Sequence, residues 1–367
     1  MKRVIIFIIA VTLMAMIPGV AAAKEIKWRM GTTWVPAIAT LFGADQTFVK
    51  IVNDMCKGEL SIKLHQAGEI VPAFETFGAV QANTLQAGGD VPFYWAGKDS
   101  AFTALGALPM GLSQMDFLTW IYQAGGLDVY NEVYGKFGMI YFPYAAIPAE
   151  SGVRGKFKIK SLDDFKGKKI RMAGLIQGKM LNDLGAVQVM IATPEMYQAL
   201  ERGMIDGGEL GGPYLDWNMG IHEITTEWNG PGWHQPCSII GVMINKKAWD
   251  ELPPNVQNKV RYAAMATMIE STTNANMVDY AHANKWVEKG VGMNILGPED
   301  LAKIQEMAFK AFEDEAQKNP LFAKVVYSQY KYLETAATFK KIQAPVDNRP
   351  PMLPNMELLK KAAEGAK

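Results

Sequence analysis

The stretch "IDGGELGGPYLDW", Ile205 to Trp217, sets one carboxylate, Glu209, between two glycine pairs and ahead of a Gly-Pro turn. Glycine has no Cβ, so such a turn lets a ligand approach the backbone closely. Glu209 can therefore hold a cation, hold a substrate, or lie solvated in a loop. Three more residues raise the same question. Arg171 ends the run "KKIRM" ahead of Ala173 and Gly174. An arginine there suits bidentate capture of a carboxylate, and equally a side chain reaching solvent beside Lys168 and Lys169. Glu150 follows "MIYFPYAAIP", and Gln235 lies in "NGPGWHQPC" just before another apolar run. Two carboxylates and one amide carbonyl are hard oxygen ligands of the kind sodium or calcium takes. Their separation in sequence leaves open whether they converge. Trp233 stands close to Gln235, and Phe93, Tyr94 and Trp95 form an aromatic triplet. Aromatics with polar tips suit a small cleft that closes over a ligand, although each is also a core candidate, Phe93 above all.

These residues need elements to position them. "EIKWRMGTTW" and "LSIKLH" alternate as strands do, and "LFGADQTFVKIVNDMC" between them has a helical period. "VPAFETFGAVQAN" starts on a proline as helices often do, and "TLQAGGDVPFYW" follows as a strand and loop. This β-α-β-α-β series predicts an α/β fold with a parallel sheet and covering helices. The pattern restarts near Lys168: Ser161 caps a helical turn, Lys168 to Met172 and "VQVMI" read as strands, and Thr193 caps "PEMYQALERGMI". "SIIGVMINKKAWDELP" suits a central strand returning to the first sheet. From Pro254 a long proline-free helical stretch follows, then two helices separated at Asn319-Pro320, and a proline-rich, then charged tail. Two α/β units in series place a ligand cleft between two lobes, outside the carboxyl ends of strands. The odd residues sit there, just after strands.

The first residues fix the compartment. Lys2 and Arg3 precede an apolar run from Val4 to Met16, then Pro18, Gly19 and the alanines 21–23, the layout of a cleaved signal peptide over residues 1–23. The run is short for a membrane span, which needs about 20 apolar residues. The chain is therefore expected in the periplasm. It carries 37 basic and 37 acidic residues, and removing Lys2 and Arg3 leaves 35 against 37. That balance offers no field for nucleic acid and no polybasic membrane patch. Cys56 and Cys237 give no spacing signature and read as small apolar residues. His65, His222, His234 and His282 show no zinc-ligand spacing. No Gly-x-Ser-x-Gly occurs, which counts against an exported hydrolase.

Taken in order, "HQAGEIVPAFETFGAVQANTLQAGG", "SLDDFKGKKIRMAG", "ALERGMIDGGELGGPYLD" and "PGWHQP…MINKKAWDELP" resemble the extracytoplasmic solute receptors of tripartite ATP-independent periplasmic (TRAP) transporters. The likeness covers the mature chain and is greatest to the branch that binds 2-oxo or 2-hydroxy monocarboxylates. It implies a two-lobe periplasmic binding protein fold with a long lobe-spanning helix over 254–290. One lobe is expected over 24–148 with 236–275, the other over 149–235 with 285–318, and a C-terminal helix and extension over 319–367. It implies a receptor rather than an enzyme, with membrane subunits as partners and a homodimer built on the C-terminal element. Residue by residue, Arg171 matches the arginine that binds the substrate carboxylate, and Glu209 the acid that holds a cation with the substrate. Leu210 stands where the branch often has Trp, so its backbone carbonyl can serve as a ligand but an aromatic wall is lost. Gln235 stands where the branch tends to have Glu, and Glu150 is matched to a position usually Gln. That exchange leaves the site charge unchanged: two carboxylates and the substrate's own against Arg171 call for a cation, sodium or calcium. The same fold carrying a larger acid, such as a dicarboxylate or an aromatic acid, is the main rival, and a sensor subunit would differ only in partner.

Overall fold

The computed structural model describes residues 25–191 and 195–347. The leader read over 1–23, the cap at Thr193 and the tail beyond residue 347 lie outside the described residues. Among those described, eleven strands follow one another: β1 (Ile26–Thr32), β2 (Leu60–His65), β3 (Ala87–Asp90), β4 (Met139–Ile147), β5 (Val153–Gly155), β6 (Lys169–Arg171), β7 (Val187–Val189), β8 (Gly207–Gly208), β9 (Glu227–Gly230), β10 (Ser238–Asn245) and β11 (Gly292–Ile295). They form two sheets, ordered β2-β1-β3-β10-β4 and β11-β9-β5-β8-β6-β7.

In the first sheet β1 runs parallel to β2 and β3, because helices Ala39–Met55 and Thr76–Gln81 return the chain each time. β10 lies between β3 and β4 and is antiparallel to both, with all eight of its residues buried. Its near-continuous apolar run is what an interior strand covered on both faces requires. The sheet is thus mixed, since β10 enters it from the other sheet. Residues 101–135 form three helices that sequence periodicity leaves unassigned, Ala101–Gly106, Gln114–Gln123 and Gly126–Gly135. Two are anchored by large aromatics, Trp120, Tyr130 and Tyr134, which are fully buried. Cys56 and Cys237 are buried and unpaired.

Two short segments cross between the sheets, from β4 to β5 and from β9 to β10, and they lie side by side. Glu150 N–H donates to the Gln235 carbonyl at 3.2 Å. A third link is the helix Pro254–Glu288, which at 1.5 Å per residue is about 50 Å long. Ala263, Ala264, Ser271 and Ala275 are buried along it, and it packs on β4 and on helix Ala39–Met55 in the first lobe. Further along, it meets the helix Pro213–Asn218 of the second lobe. There Trp286 Nε1 donates to the Pro213 carbonyl at 3.0 Å.

Two buried acids fix the strand ends of the first sheet. Thr32 and Tyr144 hydroxyls donate to the Asp45 carboxylate, and Trp95 Nε1 donates to Asp90. The Tyr134 hydroxyl reaches the same Asp90 oxygen at 2.9 Å. Asp90 thereby sets the turn Pro92–Trp95, which carries the aromatic triplet. Burial pushes the carboxyls of Asp45 and Asp90 each up to about 7. An acid whose folded pKa lies above its unfolded one, about 4, contributes stability that is lost as pH rises through the folded value. Chemical denaturation across pH should therefore find stability falling between about pH 4 and pH 7 on account of these groups. Asp45→Asn, which keeps the shape and the two hydroxyl contacts, should flatten that fall; an equal slope in the variant would show that Asp45 is not neutral in the fold.

Candidate functional site

Arg171 and Glu209 are neighbours because their strands are. β6 pairs in parallel with β8, and beyond its end Glu209 N–H donates to the Arg171 carbonyl at 3.0 Å. The side chains then meet: Arg171 Nη1 is 2.9 Å from Glu209 Oε2 and donates to the Glu209 carbonyl at 2.7 Å. Ala173 N–H donates to the other carboxylate oxygen. Glu209 is almost fully buried, at 1 % exposure. Burial alone would raise its pKa, but Arg171, His234 and the Ala173 amide outweigh that and hold it below the usual carboxylate range.

Glu150 and Gln235 arrive on the two crossings. Gln235 Nε2 donates to Glu150 Oε1 at 3.0 Å, while Ser238 Oγ donates to Gln235 Oε1 at 2.8 Å. His234, on the same crossing, places Nε2 at 2.9 Å from Glu150 Oε2. One ligand atom from each of Glu150, Glu209 and His234 lies within 4.8 Å of the others. Burial and then the neighbouring Glu209 push the Glu150 carboxyl well above its ordinary value. Burial drives His234 down to about 4, so the ring is neutral at pH 7, with Nε2 hydrogen-bonded to Glu150.

A partly open cavity of about 80 Å³ lies here, far below the 300–1,000 Å³ of a drug-sized site. The second sheet contributes Arg171, Glu209, Leu210 and the backbone of Gly211 and Gly212; the first contributes Tyr94 and Phe93; the long helix contributes Ala275 and Asp279. Gly212 has no room for a Cβ, which would strike the Asp279 carboxylate. Asp279 Oδ1 in turn accepts the Tyr214 N–H at 2.9 Å, tying the Glu209 loop to the long helix. The charges of Arg171, Glu209 and Glu150 all act on the Tyr94 hydroxyl, whose pKa burial raises.

The structure thus brings together Arg171, Glu209, Glu150, Gln235, Leu210, Tyr94 and Phe93 from the sequence-based set. It does not bring Trp95 and Trp233 to the cavity. Trp95 turns inward to Asp90, and Trp233 packs on Phe165. Both tips faced plausible clefts in sequence, but each ring fills core volume instead. Sequence reading missed His234, Ser238, Asp279 and Trp34. Trp34 packs on Tyr94 at 5.4 Å between ring centroids. Asp279 carries no local signal, being one acid among many on a long helix, whereas His234 stood beside the chosen Gln235 and was weighed only for zinc spacing.

Comparison with known proteins identifies the family of the chain. The profile of bacterial extracellular solute-binding protein, family 7, matches residues 30–319. The monocarboxylate 2-oxoacid-binding periplasmic protein of Nostoc sp. is 32% identical over 311 residues, 85% of each chain. A TRAP periplasmic solute binding protein from Colwellia psychrerythraea, solved with bound calcium and pyruvate, superposes with a TM-score of 0.83 at 28% identity. The match covers 89% of this chain and 100% of that one. Its counterpart from Pseudoalteromonas atlantica, solved with sodium and pyruvate, gives 0.82 at 27% identity with the same coverage. With the family profile spanning most of its length, the chain belongs to bacterial extracellular solute-binding protein family 7 and is a periplasmic solute receptor of the TRAP type, not an enzyme.

Proposed function

We propose that this receptor captures a small 2-oxo or 2-hydroxy monocarboxylate together with one sodium or calcium ion, closes its lobes over both, and delivers the acid to membrane subunits. The observation that carries this reading is the pair of carboxylates, buried Glu209 and largely buried Glu150, sharing one cavity with one guanidinium. A bound acid adds a third negative charge. Buried charge without compensation costs several kcal/mol per ion, so the residue set calls for a cation. Glu150, Glu209 and the Leu210 carbonyl are the oxygens that would hold it. Gln235 joins them once its amide turns its oxygen away from Ser238. The ion supplies the positive charge that keeps all three carboxylates ionised. Relatives solved with calcium or sodium beside pyruvate support the same combination.

Arg171 binds the cargo's carboxylate. Its Nη1 stays on Glu209, and its Nη2 makes no hydrogen bond among the described residues. The Tyr94 hydroxyl, across the cleft, donates to the cargo's second oxygen. Residues 24–148 with 236–275 and residues 149–235 with 285–318 are the two bodies that close, with the crossings at Glu150 and Gln235 as hinges. The C-terminal helix Pro320–Asp347 leaves Tyr327, Phe339 and Ile342 exposed, a surface suited to a homodimer.

Calorimetry with pyruvate in calcium, in sodium, and after exhaustive chelation in sodium-free buffer tests the reading. Binding should require one of the two ions. Arg171→Ala should lose at least about a hundredfold in affinity, because breaking a buried charged pair costs about 3–5 kcal/mol. Binding indifferent to both ions, or unchanged in Arg171→Ala, would refute it.

The exchange of Gln and Glu gives a second test. Glu150→Gln removes a carboxylate from the ion and should weaken ion-dependent binding. Adding Gln235→Glu returns the charge on the other crossing and should restore much of it. Residues that share one ion couple by about 0.5–3 kcal/mol, which a double-mutant cycle resolves. Additive effects, or a silent Glu150→Gln, would take Glu150 out of the ligand set.

A further inference from the structure

A groove of about 800 Å³ shares Glu150 and Asp279 with the small cavity but none of its other lining residues. Pro148 and Pro236 of the two crossings line it on one side. Helix Gln114–Gln123 supplies Met115, and the long helix supplies Met268, Ile269 and Tyr280. Met115, Ile269 and Tyr280 are 70%, 65% and 63% exposed. Large apolar side chains gathered around one groove mark a surface that something apolar covers.

The polar groups of the groove are already engaged. Gln114 Nε2 donates to the Ala146 carbonyl at 2.7 Å, and the Ala146 N–H donates to the Thr272 hydroxyl at 2.9 Å. The Thr273 hydroxyl donates to the Ile269 carbonyl at 2.7 Å. The charged groups among the described lining residues, Glu150 and Asp279, are both acidic. The groove therefore suits an apolar occupant that carries basic residues.

The C-terminal helix Pro320–Asp347 leads the chain towards it. Trp120 Nε1 donates to the Ser328 hydroxyl at 3.0 Å, and the Tyr332 hydroxyl donates to Asp116 at 3.0 Å. Lys340 Nζ then reaches both oxygens of the same Asp116 at 2.6 Å. The helix thus runs antiparallel to Gln114–Gln123 and heads for its N-terminal end, where Ser113, Gln114 and Met115 enter the groove. Residues 348–367 come next. From Met268 to Ala283 the groove follows the long helix for about 22 Å, at 1.5 Å per residue. Residues 348–367 span up to about 65 Å when extended, so they reach it with length to spare.

Their sequence matches the groove in kind. In "MLPNMELLKKAA" the residues Met352, Met356, Leu359 and Ala363 recur at a helical spacing on one face. Arg349, Lys360, Lys361 and Lys367 outnumber Glu357 and Glu364. Methionines on both sides adapt to irregular contact. We infer that residues 348–367 dock in this groove of their own chain, with Met352, Met356 and Leu359 against Met115, Ile269 and Tyr280. The inference does not depend on which cargo the cleft takes.

Cross-linking of the whole protein carrying Ile269→Cys and Leu359→Cys with a short bismaleimide tests this. Ile269 is exposed, so the change spares the core, and Cys56 and Cys237 are buried. The link should form within one chain, about tenfold faster than in a control pair of Val187→Cys and Leu359→Cys, because docking raises the local concentration of the second thiol. Val187, also exposed, lies on the second lobe and outside the groove. A link between two chains overturns the inference and makes a second copy the occupant. A rate equal to the control overturns docking altogether. In a second measurement, a chain ended after Asp347 should bind more of an apolar fluorescent dye than the full chain, and Ile269→Ser in the shortened chain should reverse much of that gain. Dye binding unchanged by the truncation overturns the inference as well.

Discussion

Glu150 and Glu209 face each other across one cavity with a single guanidinium, and the rest of the site is arranged around that imbalance. At the effective dielectric of such a site, two like charges a few ångströms apart repel by about 4 kcal/mol. The protein resolves this unevenly. Glu209 receives Arg171 and a backbone amide and stays ionised, while Glu150 receives a neutral imidazole and an amide and is driven towards its protonated form. An empty site can therefore survive by holding a proton on Glu150.

The topology follows from the same constraint. Arg171 and Glu209 need a fixed mutual geometry, and adjacent parallel strands of one sheet give it. Glu150 and Gln235 sit on the paired crossings between sheets and are hydrogen-bonded to each other. The third link, the long helix, is held to the Glu209 loop through Asp279 and through Trp286. Behind that loop Arg154 pairs with Asp216 at 2.7 Å, fully buried, its guanidinium 4.0 and 3.8 Å from the ring centroids of Trp228 and Trp286. Cation–π contacts to two rings offset much of the desolvation of that arginine. The loop is thus anchored on its own side of the cleft.

What sequence makes legible here is what has short range. Strand alternation, a glycine-bracketed acid and a strand-end arginine are local patterns, and Arg171 and Glu209 were readable from them together with the family likeness. β10 was readable as an interior strand because burial on both faces leaves seven apolar or small positions in a row, Ser238 to Ile244. The helices of 101–135 were not, since they are short and their aromatics serve the core from several directions. Trp95 and Trp233 show the same limit: an indole beside a candidate ligand in sequence can turn to either side of its turn, and Asp90, fixed by a different strand, decides for Trp95. Asp279 belongs to the site only because Gly212 leaves it space, a relation between residues far apart in the chain.

The charge census also weighs the rival readings. A dicarboxylate would bring a second anionic group into a cavity whose described lining already holds Glu150, Glu209 and Asp279 against Arg171. Asp279, with its pKa pushed up to about 6 by burial, is itself reluctant to ionise there. No second cationic side chain lines the cavity among the described residues, so a second carboxylate would stay unpaired. The site also holds the residue types of a hydrolytic triad, Ser238, His234 and Glu150, yet joined in the wrong order. A triad needs the imidazole to take the serine proton. Here the Ser238 hydroxyl is spent on the Gln235 amide, and the His234 Nε2 that would serve as base is spent on Glu150. In this arrangement the three side chains form no proton relay to a nucleophile, and what they do instead is tie the two crossings together.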